Sequence, residues 1–104
     1  MTAMPVSKIG DSRHLARRAA LQMLYQWEVG RLTMAEVHGT FWSHASESTP
    51  TAEVRELATR LADGVAAEVD RLDPVIAQAA EHWRLERMTV IDRLILRLAS
   101  YELL

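Results

Sequence analysis

Apolar residues recur every three or four positions along almost the whole chain, the spacing of one face of an α-helix. Ala16, Ala20, Met23 and Trp27 follow i, i+4, i+7, i+11 and form one stripe. Val54, Ala58, Leu61, Val65, Val69 and Leu72 form another. Period-two alternation, the signature of a half-buried strand, never persists. Glycine and proline are scarce. The pattern predicts an all-α fold of about five helices.

Punctuation residues divide the pattern. Residues 1–11 read as a flexible tail. The first helix opens with Ser12 as N-cap and runs to Val29, with Gly30 ending it. The second opens at Thr33, where "TMAE" has the Ser/Thr-x-x-Glu form of a capping box, and fades near Ser43 to Ala45. "SESTPT", Ser46 to Thr51, is a polar loop in which Pro50 opens a third helix ending near Leu72. Gly64 lies inside it, at a cost of about 1 kcal/mol relative to alanine, and implies a close helix crossing. Asp73 and Pro74 read as N-cap and first residue of a fourth helix carrying Val75, Ile76, Ala79, Ala80 and Trp83. After "RLERM", Thr89 and Asp92 approximate a capping pair for a fifth.

That last helix is apolar on most sides. Ile91, Leu94, Ile95, Leu96, Leu98, Ala99, Tyr101, Leu103 and Leu104 leave a narrow polar line through Arg93, Arg97 and Ser100. A helix of this kind is built to be surrounded. Four preceding helices cover one or two of its sides. The rest calls for more chain or another subunit, and self-association through this face is one expectation.

At 104 residues, 49% hydrophobic and 25% charged, the chain has the balance of one small folded domain. It contains no cysteine, which excludes disulfides and thiolate metal sites. The start lacks the apolar run of a signal peptide and no stretch is long enough to span a bilayer. The expectation is a cytoplasmic protein without membrane contact. Net charge is −2, but its distribution is uneven. Residues 1–31 hold five basic and two acidic side chains, net +3, and the remainder is net −5. A basic arm on an acidic body points to an anionic partner at one end.

The basic residues cluster where a helix least favours them. Arg13, His14, Arg17 and Arg18 occupy the first turns of the first helix, where unpaired N–H groups already carry partial positive charge. A bound phosphate relieves that conflict, and arginine forks match its oxygens bidentately. Tyr25 lies two turns beyond Arg18 and offers a flat ring for an unstacked base, as in single-stranded RNA recognition. The competing account is a solvated charged face with a half-buried tyrosine.

Catalytic constellations are absent from the pattern. His38 and His44 do not share a helix face, and His82 beside Glu81 diverges from it. Carboxylate pairs such as Glu53 with Glu56, or Glu68 with Asp70, lack apolar surroundings, and Glu56 with Arg60 fits an i,i+4 ion pair. No Gly-rich phosphate loop or Gly-x-Ser-x-Gly occurs. Arg84, Arg87, Arg93 and Arg97 are interspersed with Glu86, Asp92 and Glu102 and read as mutually paired. The expectation is no enzyme, no cofactor and no metal.

Two stretches together resemble a known family. "SRHLARRAALQMLYQWE" is similar to the opening of the NusB family of transcription antitermination and ribosomal-RNA-processing factors, and "HWRLERMTVIDRLILRLASYELL" to its central signature. The resemblance spans residues 12–104. It implies a helical bundle of two packed subdomains that binds boxA RNA of rRNA operons. The expected partners are a small-subunit ribosomal protein, NusE, and the antitermination complex of RNA polymerase. Arg13, Arg17 and Tyr25 match the family's RNA-contacting pattern. His14 stands where a second arginine or lysine is common, Arg18 where glutamate is frequent, and Asp92 at a position expected to face the ribosomal protein. The family continues past "YELL" with further helices, so the chain reads as C-terminally truncated. Two alternatives differ in class: the NusB-like module of an rRNA cytosine methyltransferase, and a helical protein-interaction module.

Overall fold

A computed structural model describes residues 6–44, 51–79 and 87–103. Among these residues there are four α-helices and one 3₁₀ turn: α1 (Val6–Val29), α2 (Met34–Phe41), the turn Trp42–His44, α3 (Ala52–Ala79) and α4 (Val90–Leu103). No helix among them is long and apolar enough to cross a membrane.

Local chemistry starts each helix. The Glu36 amide donates to Thr33 Oγ1 at 3.1 Å while the Thr33 amide donates to Glu36 Oε1 at 2.9 Å, the reciprocal capping box expected at α2. Those bonds hold the Glu36 carboxyl below its ordinary range. α3 begins at Ala52 with Thr51 as its cap, the Thr51 hydroxyl accepting from the Val54 amide at 3.2 Å, and not at Pro50, which lies outside the described residues. Thr89 caps α4 the same way, accepting from the Asp92 amide at 3.1 Å.

Three expectations change. First, α1 begins at Val6 rather than at Ser12, so the helix includes part of the expected tail, and Arg13, His14, Arg17 and Arg18 lie two to three turns inside it rather than against the free N–H groups of its first turn. Second, the residue with left-handed backbone after α1 is Arg31, with φ of 57°, and not Gly30. The Gly30 amide instead closes the last turn onto the Gln26 carbonyl at 2.9 Å, and a Cβ there would lie 2.6 Å from that oxygen. Third, Asp73 and Pro74 do not begin a new helix. α3 runs through them without a break, giving four helices where five were expected. Pro74 removes one backbone bond, a cost of about 3 kcal/mol in a helix interior. Burial of Leu72 and Ile76 on either side and the use of Asp73 by another helix keep the segment helical. Ala80 to Glu86, including Trp83, lie outside the described residues.

Packing follows the predicted stripes. Ala16, Ala20, Met23 and Leu24 of α1 are fully buried, as are Ala58, Ala62, Val65 and Leu72 of α3. Val37 brings α2 onto this pair, and Leu94 and Leu98 bring α4 against it. Side-chain pairings set the directions: Arg17 meets Glu102, Gly64 meets Tyr101, and Glu28 and Asp73 both meet Arg97. α4 therefore runs antiparallel to both α1 and α3. The Tyr101 ring of α4 lies directly over Gly64 of α3, since a Cβ there would sit 2.1 Å from its Cζ. The outer face of α4 is open, with Ile91 48%, Ile95 46% and Leu103 86% exposed.

Candidate nucleic-acid interface

Burial of Ala16, Ala20, Met23 and Leu24 fixes the rotation of α1 about its axis. At 100° per residue, His14, Arg18 and Tyr25 then point away from the core. All three are exposed, as is Arg13. Arg13 and Tyr25 are twelve residues apart, about 18 Å along the helix. His14, Arg18 and Tyr25 share one solvent-facing strip, and Arg13, three residues before the buried Ala16, lies beside it on the other side of the helix and is exposed. Among the described residues, Arg13, His14 and Arg18 have no ion-pair partner.

Arg17 differs. Its Nε–H donates to both oxygens of Glu102 at 3.0 Å, and Nη2 lies 2.9 Å from Oε1. The hydrogen bonds first, then the carboxylate charge, push its pKa further above the ordinary arginine range. Of the four basic residues expected to form one patch, three are unpaired and one is tied to α4.

Asp92 is exposed on the first turn of α4, where a carboxylate complements the helix N-terminus. It does not join the cationic strip. Its neighbour Arg93 meets Glu28, near the end of α1, whereas Arg13 and Arg17 lie toward the other end, beside Glu102. Val29 and Ile91, each about half exposed, belong to the Asp92 end.

The pairing expected among the C-terminal charges takes another form. Arg97 grips Asp73 with two bonds of 2.8 Å, Nε to Oδ1 and Nη2 to Oδ2, and donates from Nη1 to Glu28 Oε1 at 2.9 Å. Arg93 adds a 3.2 Å contact to Glu28 Oε2. Arg97 is only 6% exposed, so this cluster locks α1, α3 and α4 from inside and is not a surface patch. The Asp73 hydrogen bonds raise its pKa against the opposing effect of burial. Glu56 and Arg60 form no ion pair among the described residues; Glu68 pairs with Arg71 at 3.1 Å instead.

His38 lies in an open hollow of about 660 Å³ between α2 and α3, with Nε2 2.6 Å from Asp63 Oδ1. On the same wall the Arg55 guanidinium stacks 5.0 Å over the Trp42 ring. No group of three metal-ligating side chains occurs among the described residues. The side chain of His44 and all of His82 lie outside them.

Comparison with known proteins supplies a second line of argument. The sequence profile of the NusB family matches residues 14–104. The chain is 40% identical over 93 residues to the transcription antitermination protein NusB of Myxococcus xanthus, covering 88% of this chain and 66% of that protein. It is 38% identical to the NusB protein of Streptomyces avermitilis, covering 89% and 65%, and 42% identical to that of Desulforudis audaxviator, covering 86% and 63%. The chain thus spans just under two thirds of the length of these relatives. No solved structure matches it.

Proposed function

Because the chain belongs to the NusB family, we propose that it is an RNA-binding transcription antitermination factor. In this reading it holds boxA-type single-stranded RNA of rRNA operons together with a small-subunit ribosomal protein, NusE, and the pair acts within the antitermination complex of RNA polymerase. The relatives' shared name supports the antitermination role. The observation that carries RNA binding is the strip on α1. Among the described residues, Arg13, His14 and Arg18 stand unpaired, two to three turns inside a helix whose rotation is fixed by its buried face. Phosphates supply affinity there, and Tyr25 contributes stacking, worth about 1–3 kcal/mol per base. Arg17 belongs to the same strip with its charge engaged by Glu102. Asp92, with the half-exposed Val29 and Ile91 at its end of the bundle, is the surface offered to the protein partner.

The test is a titration of fluorescently labelled boxA-type RNA, with the ribosomal protein present, across 50–200 mM salt. Each phosphate contact to a single strand contributes about 0.7 to the slope of log affinity against log salt. Arg13→Ala with Arg18→Ala should weaken binding and flatten that slope by about 1.4. A double variant that keeps its helical circular dichroism and overlays the wild-type titration removes the α1 strip from the mechanism.

A further inference from the structure

We propose that Glu102 sets the phosphate-binding strength of the α1 strip by occupying Arg17. The idea rests on the RNA-binding reading above and names a residue that determines its strength. The Nε and Nη2 groups of Arg17 form one of the edges with which a guanidinium grips two phosphate oxygens. That edge is already filled by a carboxylate, at 3.0 and 2.9 Å. Packing does not demand the contact, since the Arg17 side chain is 45% exposed, whereas that of Arg97 in the interior cluster is 7% exposed. Nor is it a local helix pair, because Glu102 comes from the last turn of α4, 85 positions away in sequence. The fold brings a negative charge from another helix to the edge of a cationic strip and places it on one arginine only. Phosphate must compete with Glu102 for the same N–H groups. A strip of three arginines therefore acts on RNA as one of two.

Neutralising Glu102 should release the third. Glu102→Gln keeps the size and an acceptor oxygen while removing the charge. With the same labelled RNA, this variant should bind more tightly and show a slope steeper by about 0.7, one extra phosphate on a single strand. Its advantage over wild type should be about threefold larger at 50 mM than at 200 mM salt. Arg17→Ala should flatten the slope by about 0.7 more in the Glu102→Gln background than in wild type. A merely structural strut between α1 and α4 does not produce that dependence on background. Glu102→Ala provides a second release of Arg17, with helical dichroism reporting that each variant is folded.

A wild-type slope in both Glu102 variants overturns the proposal. So does an equal flattening by Arg17→Ala in both backgrounds. If wild type binds and the variants match it, the role of Glu102 fails and RNA binding stands. If neither wild type nor Glu102→Gln binds at 50 mM salt, both fail.

Discussion

Substituting Gly64 with alanine probes the contact on which the packing of α4 depends. An ideal Cβ at this position would lie 2.1 Å from Cζ, 2.2 Å from Oη and 2.6 Å from Cε1 of Tyr101. Ordinary carbon contacts begin near 3.5 Å, so the overlap exceeds 1 Å and reaches more than the ring tip. Either α4 moves away, at the roughly 1–3 kcal/mol typical of overpacking, or the ring swings out and loses its burial. Tyr101 is half-buried, so the second route costs about half of the 1.5–3 kcal/mol of a fully buried side chain. Against this, alanine in place of glycine favours the helix by about 1 kcal/mol. The net effect on wild type is a loss of roughly 0–1 kcal/mol. The decisive quantity is the dependence on the ring. In a Tyr101→Ala background the obstacle is gone, and Gly64→Ala should stabilise by about 1 kcal/mol, a coupling of about 1–2 kcal/mol. Urea unfolding of the four proteins, followed by helical dichroism, measures it. An equal effect of Gly64→Ala in both backgrounds would show that α3 and α4 do not approach at this point.

Two further outcomes follow from the charged contacts. Arg97→Ala takes from Asp73 the cation that grips it and leaves Glu28 with Arg93 alone, and should cost about 3 kcal/mol in urea unfolding, against under 1 kcal/mol for Arg71→Ala in an exposed pair. The Glu36 carboxyl, held low by the Thr33 amide and hydroxyl, should titrate below an ordinary glutamate in a carbon-detected NMR titration. Its contribution to stability is present above the unfolded-state pKa and fades as pH falls through the lower folded-state value. Thr33→Val, which removes the hydroxyl, should move that titration upward, and an unchanged midpoint would refute the capping account.

The elements that were legible in the sequence are those decided within a few residues. The Thr33–Glu36 box, the Thr89 cap and the buried stripes of α1 and α3 each depend on a spacing of three or four, and each appears in the fold. Gly64 was legible for a related reason, since glycine inside a helix has a local cost that only an external neighbour explains. The Asp73–Pro74 boundary failed because its local logic was complete but not decisive. Asp73 can cap a helix, yet its carboxylate finds two bonds from Arg97. Hydrophobic burial of Leu72 and Ile76 then carries α3 across the proline. Tertiary contacts outweighed a cap worth about 1 kcal/mol and an interior proline costing about 3 kcal/mol.

The same division governs the candidate interface. The faces of α1 follow from helical geometry, so exposure of His14, Arg18 and Tyr25 was readable in advance, whereas Arg13 continues the buried stripe and is exposed only because it lies before the packed stretch. Which arginines remain available was not. Arg17 and Glu102 are 85 positions apart, and Arg97 and Glu28 69 apart, separations at which no periodicity carries information. The expected pairing of Arg97 with nearby acids failed on this point: the fold gave it Glu28 and Asp73, brought Arg93 to Glu28 as well, and left Glu102 to Arg17. These exchanges are not independent. With Glu28 and Asp73 committed to the interior arginines, the carboxylate at the end of α4 meets the cationic strip of α1. The ion pairs that hold the three helices together thereby also decide how much positive charge α1 presents to a polyanion.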